Sequence, residues 1–119
     1  MSIAVRALGL AAALGGSGVL HLVRPQTFEP LVPPELGSAR GWVVGSGVAE
    51  LATAALLAAP RTRWLGGWAA AGLLVAFVPA HLHTFRIVPR TAVPMTLAAV
   101  RLPLQVPMIA TALRVACAR

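Results

Sequence analysis

The chain has 119 residues, of which 58% are hydrophobic and only 11% are charged. A soluble domain of this length cannot bury so much apolar surface, so the composition excludes an ordinary globular protein. The formal net charge is +7, but the basic residues are single arginines between apolar runs, which excludes a nucleic-acid-binding patch. We therefore expect an integral membrane protein whose principal partner is the lipid bilayer.

Four apolar runs divide the sequence, at about residues 3–23, 41–59, 64–85 and 95–116. About twenty apolar residues span the hydrocarbon core of a bilayer as a helix, so four such runs with their links use nearly the whole chain. The sequence predicts an all-α fold, a four-helix transmembrane bundle, as a single domain over residues 1–119.

The first run contains the small residues 15–18, a Gly-Gly-Ser-Gly stretch that would let a neighbouring helix approach closely. The run is long and lacks a clear small-x-small cleavage site, so we interpret it as a mature helix and not as a signal peptide. The following segment, residues 24–40, holds four prolines and two glutamates. Such a segment is not a continuous helix, and we expect a long loop at the membrane surface.

The links between the remaining runs predict the topology. Residues 60–63 form a tight basic turn, which requires antiparallel neighbours on either side of it. Trp64 and Trp68 open the third run as interfacial anchors, and Pro103 and Pro107 in the fourth run predict a bend. An up-down bundle of four spans places the N- and C-termini on the same side.

The source and orientation are inferred from the arginines. Every basic residue is arginine, and alanine, glycine and valine are abundant, a bias that is typical of a GC-rich bacterial genome. The two ends of the predicted helices hold almost equal numbers of arginines, and the small difference favours termini on the cytoplasmic side. We therefore expect a multi-pass protein of the bacterial plasma membrane.

Two charged residues, Glu50 and Arg101, fall inside apolar runs. A charge at mid-helix costs roughly 2.5 to 3.5 kcal/mol on insertion scales, so each one suggests a function by default. With a rise of about 1.5 Å per residue, Glu50 lies roughly 15 Å and Arg101 roughly 9 Å below the same surface. Gln105 shares a helix face with Arg101 because the two are four residues apart.

His21 and His81 lie near the ends of the two oppositely directed helices and so approach the same surface. The expected arrangement is a polar pocket with Glu50 and Gln105 at its floor, Arg101 above them and the histidines at its mouth. One interpretation is that Glu50 and Arg101 form a buried ion pair that only fixes the helix register. The other is that the pair holds an anionic or quinone-like head group.

No complete catalytic set is present, so we do not expect an enzyme acting on its own. His83 lies only two residues from His81, so the two point in different directions and no metal site is expected. Cys117 is the single cysteine, which excludes an internal disulfide.

Several short motifs resemble the DoxX-like family of small bacterial four-helix membrane proteins. They are Gly18-Val-Leu-His21, Val32-Pro33, Ser46-Gly-Val-Ala-Glu50, Phe77-Val-Pro-Ala-His81 and Arg101-Leu-Pro-Leu-Gln105. The resemblance covers nearly the full length, but this chain has His81 where relatives often have asparagine. It implies links to quinone-coupled or thiol oxidoreductase systems in some members and to membrane-protein assembly in others.

Two functions remain open on this basis. The first is an accessory membrane subunit that binds a quinone-like or lipidic molecule through Glu50, Arg101, Gln105, His81 and His21 for a partner oxidoreductase. The second is a structural, assembly or chaperone-type protein that packs against another membrane protein, or against its own copy, without a ligand. A small transporter is less favoured, because four short helices leave little room for alternating access.

Overall fold

The structure of the protein, a computed structural model, describes residues 2–87 and 91–118. These residues are helical throughout, apart from turns and short links, and contain no strand. The α-helices are α1 (Ile3–Val23), α2 (Ala39–Ala58), α3 (Arg63–Ala76), α4 (Val78–Ile87) and α5 (Ala92–Cys117). The all-helical class predicted from composition is therefore confirmed.

Four helical segments in the described part of the chain are long and apolar enough to cross a membrane. They are Ile3–Val23, Ala39–Ala58, Arg63–Ile87 and Ala99–Cys117. Their bounds differ from the predicted runs by only a few residues. Four spans of this kind indicate a multi-pass membrane protein.

The third span is not one helix, as the sequence had suggested, but two. Its first part, α3, ends at Phe77, whose N–H donates to the carbonyl of Leu73 at 2.9 Å. Pro79 follows in the first turn of α4. Proline has no N–H to continue the ladder and disfavours the helical conformation of the residue before it. The apolar run predicted over 64–85 is confirmed as one candidate span, and the structure adds a break at Phe77 within it.

In the fourth span, α5 remains helical through both of its internal prolines, Pro103 and Pro107. The hydroxyl of Thr111 donates to the carbonyl of Pro107 at 2.8 Å. This is a bond to the carbonyl four residues back, whereas the carbonyls that lose their partners in the ladder are those four residues before each proline, at Ala99 and Pro103. The predicted bend of this helix stays a prediction.

The tight turn between α2 and α3 is closed by side chains that bond the end of α2. Thr62 donates its hydroxyl to the carbonyl of Leu56 at 2.9 Å. Arg63 donates from Nε to the carbonyl of Leu57 at 2.9 Å and from Nη2 to that of Ala58 at 3.1 Å. The last carbonyls of a helix have no partner within it, so these donors satisfy groups that would otherwise stay unpaired.

The loop between α1 and α2 is a series of short 3-10 turns rather than a continuous helix, as its prolines predict. Arg40 Nη2 lies 3.2 Å from Glu29 Oε2 and ties the start of α2 to the loop. The indole N–H of Trp42 donates to the carbonyl of Leu36 at 2.8 Å. These contacts hold the loop against the first turns of α2.

The apolar core is formed by α1, α2, α3 and α5. No described residue of α4 belongs to it. Its buried members are Ala7, Leu10, Leu14, Leu57, Ala70, Ala71, Leu74, Ala112 and Val115. The alanines in this set let the helices pack closely, and the leucines fill the space between them.

Candidate intramembrane binding site

A cavity of about 280 Å³ lies among α1, α2, α3, α4, α5 and the loop after α1. All five site residues proposed from the sequence line it: His21, Glu50, His81, Arg101 and Gln105. Most of the remaining wall is apolar. The structure therefore brings the predicted polar groups together, while their role in binding a ligand stays a prediction.

The position of Glu50 in the cavity wall depends on a close contact between α1 and α2. A Cβ added to Gly18 would lie 2.9 Å from the carbonyl oxygen of Gly47 and 3.2 Å from Cβ of Glu50. One added to Gly47 would lie 2.8 Å from Cβ of His21. Only glycine allows two backbones to approach this closely. The two glycines thus bring His21 and Glu50 into contact.

Replacing Gly47 with alanine is expected to separate these helices and to displace His21. Crowding of this kind costs about 1–3 kcal/mol, because the new methyl group would meet Cβ of His21. Thermal unfolding of the purified protein in detergent measures the loss. Gly45→Ala is the matched control, since Gly45 has nothing within 4 Å of its added Cβ. Equal unfolding temperatures for the two variants would contradict the close contact.

Glu50 is fully buried, with 0% of its surface exposed. Its Oε1 lies 3.2 Å from Nδ1 of His21. The same Nδ1 lies only 2.6 Å from the carbonyl oxygen of Ser17. A carbonyl can only accept, so Nδ1 carries the proton and donates it to Ser17. The imidazole is therefore close to the carboxyl group without hydrogen-bonding to it.

Both carboxyl oxygens of Glu50 lack a hydrogen-bond partner among the described residues. A buried polar group without a partner costs about 1–3 kcal/mol, and buried polar atoms are normally paired. Because Glu50 also lines the cavity, the vacant acceptor positions lie where a bound molecule can reach them.

The predicted ion pair between Glu50 and Arg101 is absent from the described residues. The basic side chain within 4.0 Å of Glu50 is that of His21, at 3.2 Å. Arg101 lines the same cavity but is exposed. The reason is packing: α5 contacts mainly α3, α1 and α4, whereas α2 packs chiefly against α1. Arg101 therefore remains available to a molecule in the cavity.

Aromatic rings cover His21. Its imidazole stacks on Phe28 with centroids 4.0 Å apart and an interplanar angle of 11°. Phe77 lies on a nearly parallel plane, 6.4 Å away at 15°. Neither phenylalanine was proposed as a site residue, and Ser17 was noted only as part of the small-residue stretch. The four-residue spacing of Ser17 and His21 was the one available sequence signal for this contact.

The two histidines of α4 have different surroundings. His81 lines the cavity. His83 is buried outside that lining, and its Nδ1 has no hydrogen-bond partner within the described part of the chain. Nearby, Thr84 donates its hydroxyl to the carbonyl of Ala80 at 2.9 Å. Over residues 2–87 and 91–118, no group of three metal-ligating side chains was found.

Comparison with known proteins gives a family and no described activity. A family model with the description "Domain of unknown function (DUF8561)" matches residues 10–116. No curated protein and no solved structure matches the sequence. The matched region includes every residue of the cavity described above and nearly all of the helical structure. The chain therefore belongs to the DUF8561 family.

Proposed function

We propose that this membrane protein binds a quinone-like or lipidic small molecule in the cavity and serves as an accessory subunit of a partner oxidoreductase. The observation that carries the proposal is the fully buried Glu50, which lines the cavity and whose two oxygens have no hydrogen-bond partner among the described residues. A buried acceptor without a partner is retained at a cost, and a bound molecule that donates to it would remove that cost.

The composition of the cavity supports a small organic ligand. Binding sites of this kind are mostly apolar, with a few polar groups that fix orientation. At about 280 Å³, the cavity is close to the lower limit of such sites, which begin at roughly 300 Å³. It fits a head group, while an apolar tail would extend into the surrounding lipid.

The polar residues have separate roles in this proposal. Arg101 presents a planar set of N–H donors to a ligand oxygen. Gln105 is buried at 6% exposure and offers both a donor and an acceptor. Glu50 accepts from the ligand, and His21 stabilises the carboxyl group electrostatically at 3.2 Å.

The proposed topology is an up-down bundle with both termini on the cytoplasmic side of a bacterial plasma membrane. Gly15 faces Ala54 while Gly18 faces Gly47, so residue numbers rise along α1 as they fall along α2, which supports antiparallel neighbours. The short turn after α2 supports the same relation between α2 and α3. The DoxX-like resemblance of the polar motifs is consistent with this arrangement and remains part of the proposal.

Replacing Arg101 with alanine tests the ligand directly. The protein is purified from its native membrane, and bound molecules are extracted and quantified by mass spectrometry. We expect a quinone or lipid in the parent preparation and about tenfold less in Arg101→Ala, because a hydrogen bond to a charged group contributes about 1.5–3 kcal/mol. Arg86→Ala is the control, since Arg86 is exposed and lies 3.9 Å from Glu35. Parent protein without any bound molecule would contradict the proposal.

One observation favours the second function, assembly against another membrane protein. Added Cβ atoms at Gly9, Gly16, Gly45 and Gly72 meet nothing within 4 Å, so these positions leave small, open helix surfaces of the kind that membrane helices pack against. Gly15 and Gly18, in the small-residue stretch of α1, contact α2 instead. Cross-linking in intact membranes that recovers only self-contacts would count against a different partner protein.

A further inference from the structure

We infer that the cavity selects the reduced, hydroxylated form of a ring ligand, an aromatic diol, over the oxidised dione of the same ring. The inference rests on the proposed function, because it concerns which ligand the same cavity binds. It is carried by the hydrogen-bonding requirements of Glu50 and Arg101 and by the aromatic wall beside them.

Glu50 requires a donor from the ligand. A carboxyl group has two oxygens and at most one proton, so at least one oxygen can only accept. Both oxygens of Glu50 are buried without a hydrogen-bond partner in the described part of the chain. The N–H on Nδ1 of His21 is directed to the carbonyl of Ser17 at 2.6 Å. The hydroxyl of Ser17 also lies near the carboxyl group, but its single hydrogen can serve at most one oxygen. A ligand hydroxyl supplies a donor for the other.

Arg101 requires an acceptor from the ligand, because a guanidinium group only donates. A hydroxyl oxygen meets both requirements, since it donates its hydrogen and accepts through its lone pairs. A dione has acceptors alone, so it satisfies Arg101 but leaves at least one oxygen of Glu50 without a donor. An anionic head group also pairs with Arg101, but its charged oxygens only accept and so supply no donor to Glu50.

The aromatic wall favours a planar ring over an aliphatic alcohol. Phe28, His21 and Phe77 have nearly parallel planes, at 11° and 15° to the imidazole, and all three line the cavity. Parallel faces of this kind stack with a further flat ring in an offset arrangement. An uncharged aromatic diol meets all these conditions, whereas the dione of the same ring does not.

The experiment compares a decyl-substituted benzoquinone with the matching benzoquinol, under anaerobic conditions, on the purified full-length protein in nanodiscs. Trp42 lines the cavity, so its fluorescence provides a binding signal, and calorimetry provides a second. We expect the diol to bind at least about tenfold more tightly than the dione, the effect of one hydrogen bond to a charged group.

Glu50→Gln is the decisive variant. Glutamine has nearly the same shape but carries an amide N–H₂ group, which donates to a dione. The preference for the diol over the dione is therefore expected to fall to less than about threefold. We expect this variant to bind the dione more tightly and the diol less tightly than the parent protein does. Glu35→Gln is the matched control, because Glu35 is exposed, does not line the cavity and is expected to keep the preference. Thermal unfolding confirms that both variants are folded.

The outcomes separate the inference from the proposed function. Equal affinities for the two ring forms, tighter binding of the dione, or an unchanged preference in Glu50→Gln would overturn the inference and leave a ligand-binding cavity. Tighter binding of phosphatidylglycerol than of either ring compound would overturn the inference in favour of an anionic lipid. Failure of the parent protein to bind any of these probes would overturn both.

Discussion

Replacing Gly67 with alanine is expected to lower the unfolding temperature of the bundle markedly. The added Cβ would lie 2.5 Å from the backbone nitrogen of Ala116 and 2.8 Å from the carbonyl oxygen of Ala112. Backbone atoms cannot rotate away as a side chain does, so α3 and α5 must separate. Overpacking costs about 1–3 kcal/mol and more where the backbone must move. Thermal unfolding in detergent measures the effect.

Gly72→Ala, in the same helix, is the matched control for this change. Nothing lies within 4 Å of a Cβ added at Gly72. Alanine is the better helix former by about 1 kcal/mol, so this variant is expected to unfold at the same or a slightly higher temperature. If the two alanine variants unfolded together, the close contact between α3 and α5 would not exist in the folded protein.

Replacing Glu50 with leucine is expected to stabilise the ligand-free protein and to abolish ligand binding. Leucine fills a similar space without the unpaired oxygens, whose burial costs about 1–3 kcal/mol. His21 keeps its hydrogen bond to the carbonyl of Ser17 at 2.6 Å, so the N–H of its imidazole stays paired in this variant. An increase in stability together with a loss of ligand binding is the expected result for a polar side chain that is retained in order to bind a ligand. Unfolding temperature and diol affinity are measured on the same preparations.

Glu35→Leu is the control for the loss of a carboxyl group. The side chain of Glu35 is 69% exposed, and surface substitutions of this kind usually change stability by less than about 0.5 kcal/mol. A clear fall in the stability of Glu50→Leu would show instead that the carboxyl group is already well paired in the protein. The acceptor positions assigned to a ligand would then be occupied.

The helices were predictable because their signal is local. Twenty apolar residues in a row identify a span whatever surrounds them, and the prolines of the loop exclude a continuous helix there. The polar outliers were predictable for the same reason, since Glu50 and Arg101 interrupt apolar runs. Knowledge of which helices are neighbours was not needed for either conclusion.

The partner of Glu50 was not predictable, because it depends on contacts distant in the sequence. The small residues around Gly18 predict that another helix approaches closely, but they do not identify that helix. In the folded protein Gly47 lies against Gly18. This contact makes His21 the neighbour of Glu50, whereas Arg101 lies on α5. The stacking of Phe28 on His21 similarly depends on how the loop folds back.

The break at Phe77 divides the third span into one half that packs in the apolar core and one half that does not. The first half, α3, is held in the apolar core through Ala70, Ala71 and Leu74 and against α5 at Gly67. The second half, α4, carries His81 and contributes no described residue to that core. Because α4 packs against α5 and the loop after α1 and not in that core, a change in its tilt would alter the cavity wall that carries His81 while the core contacts stayed in place.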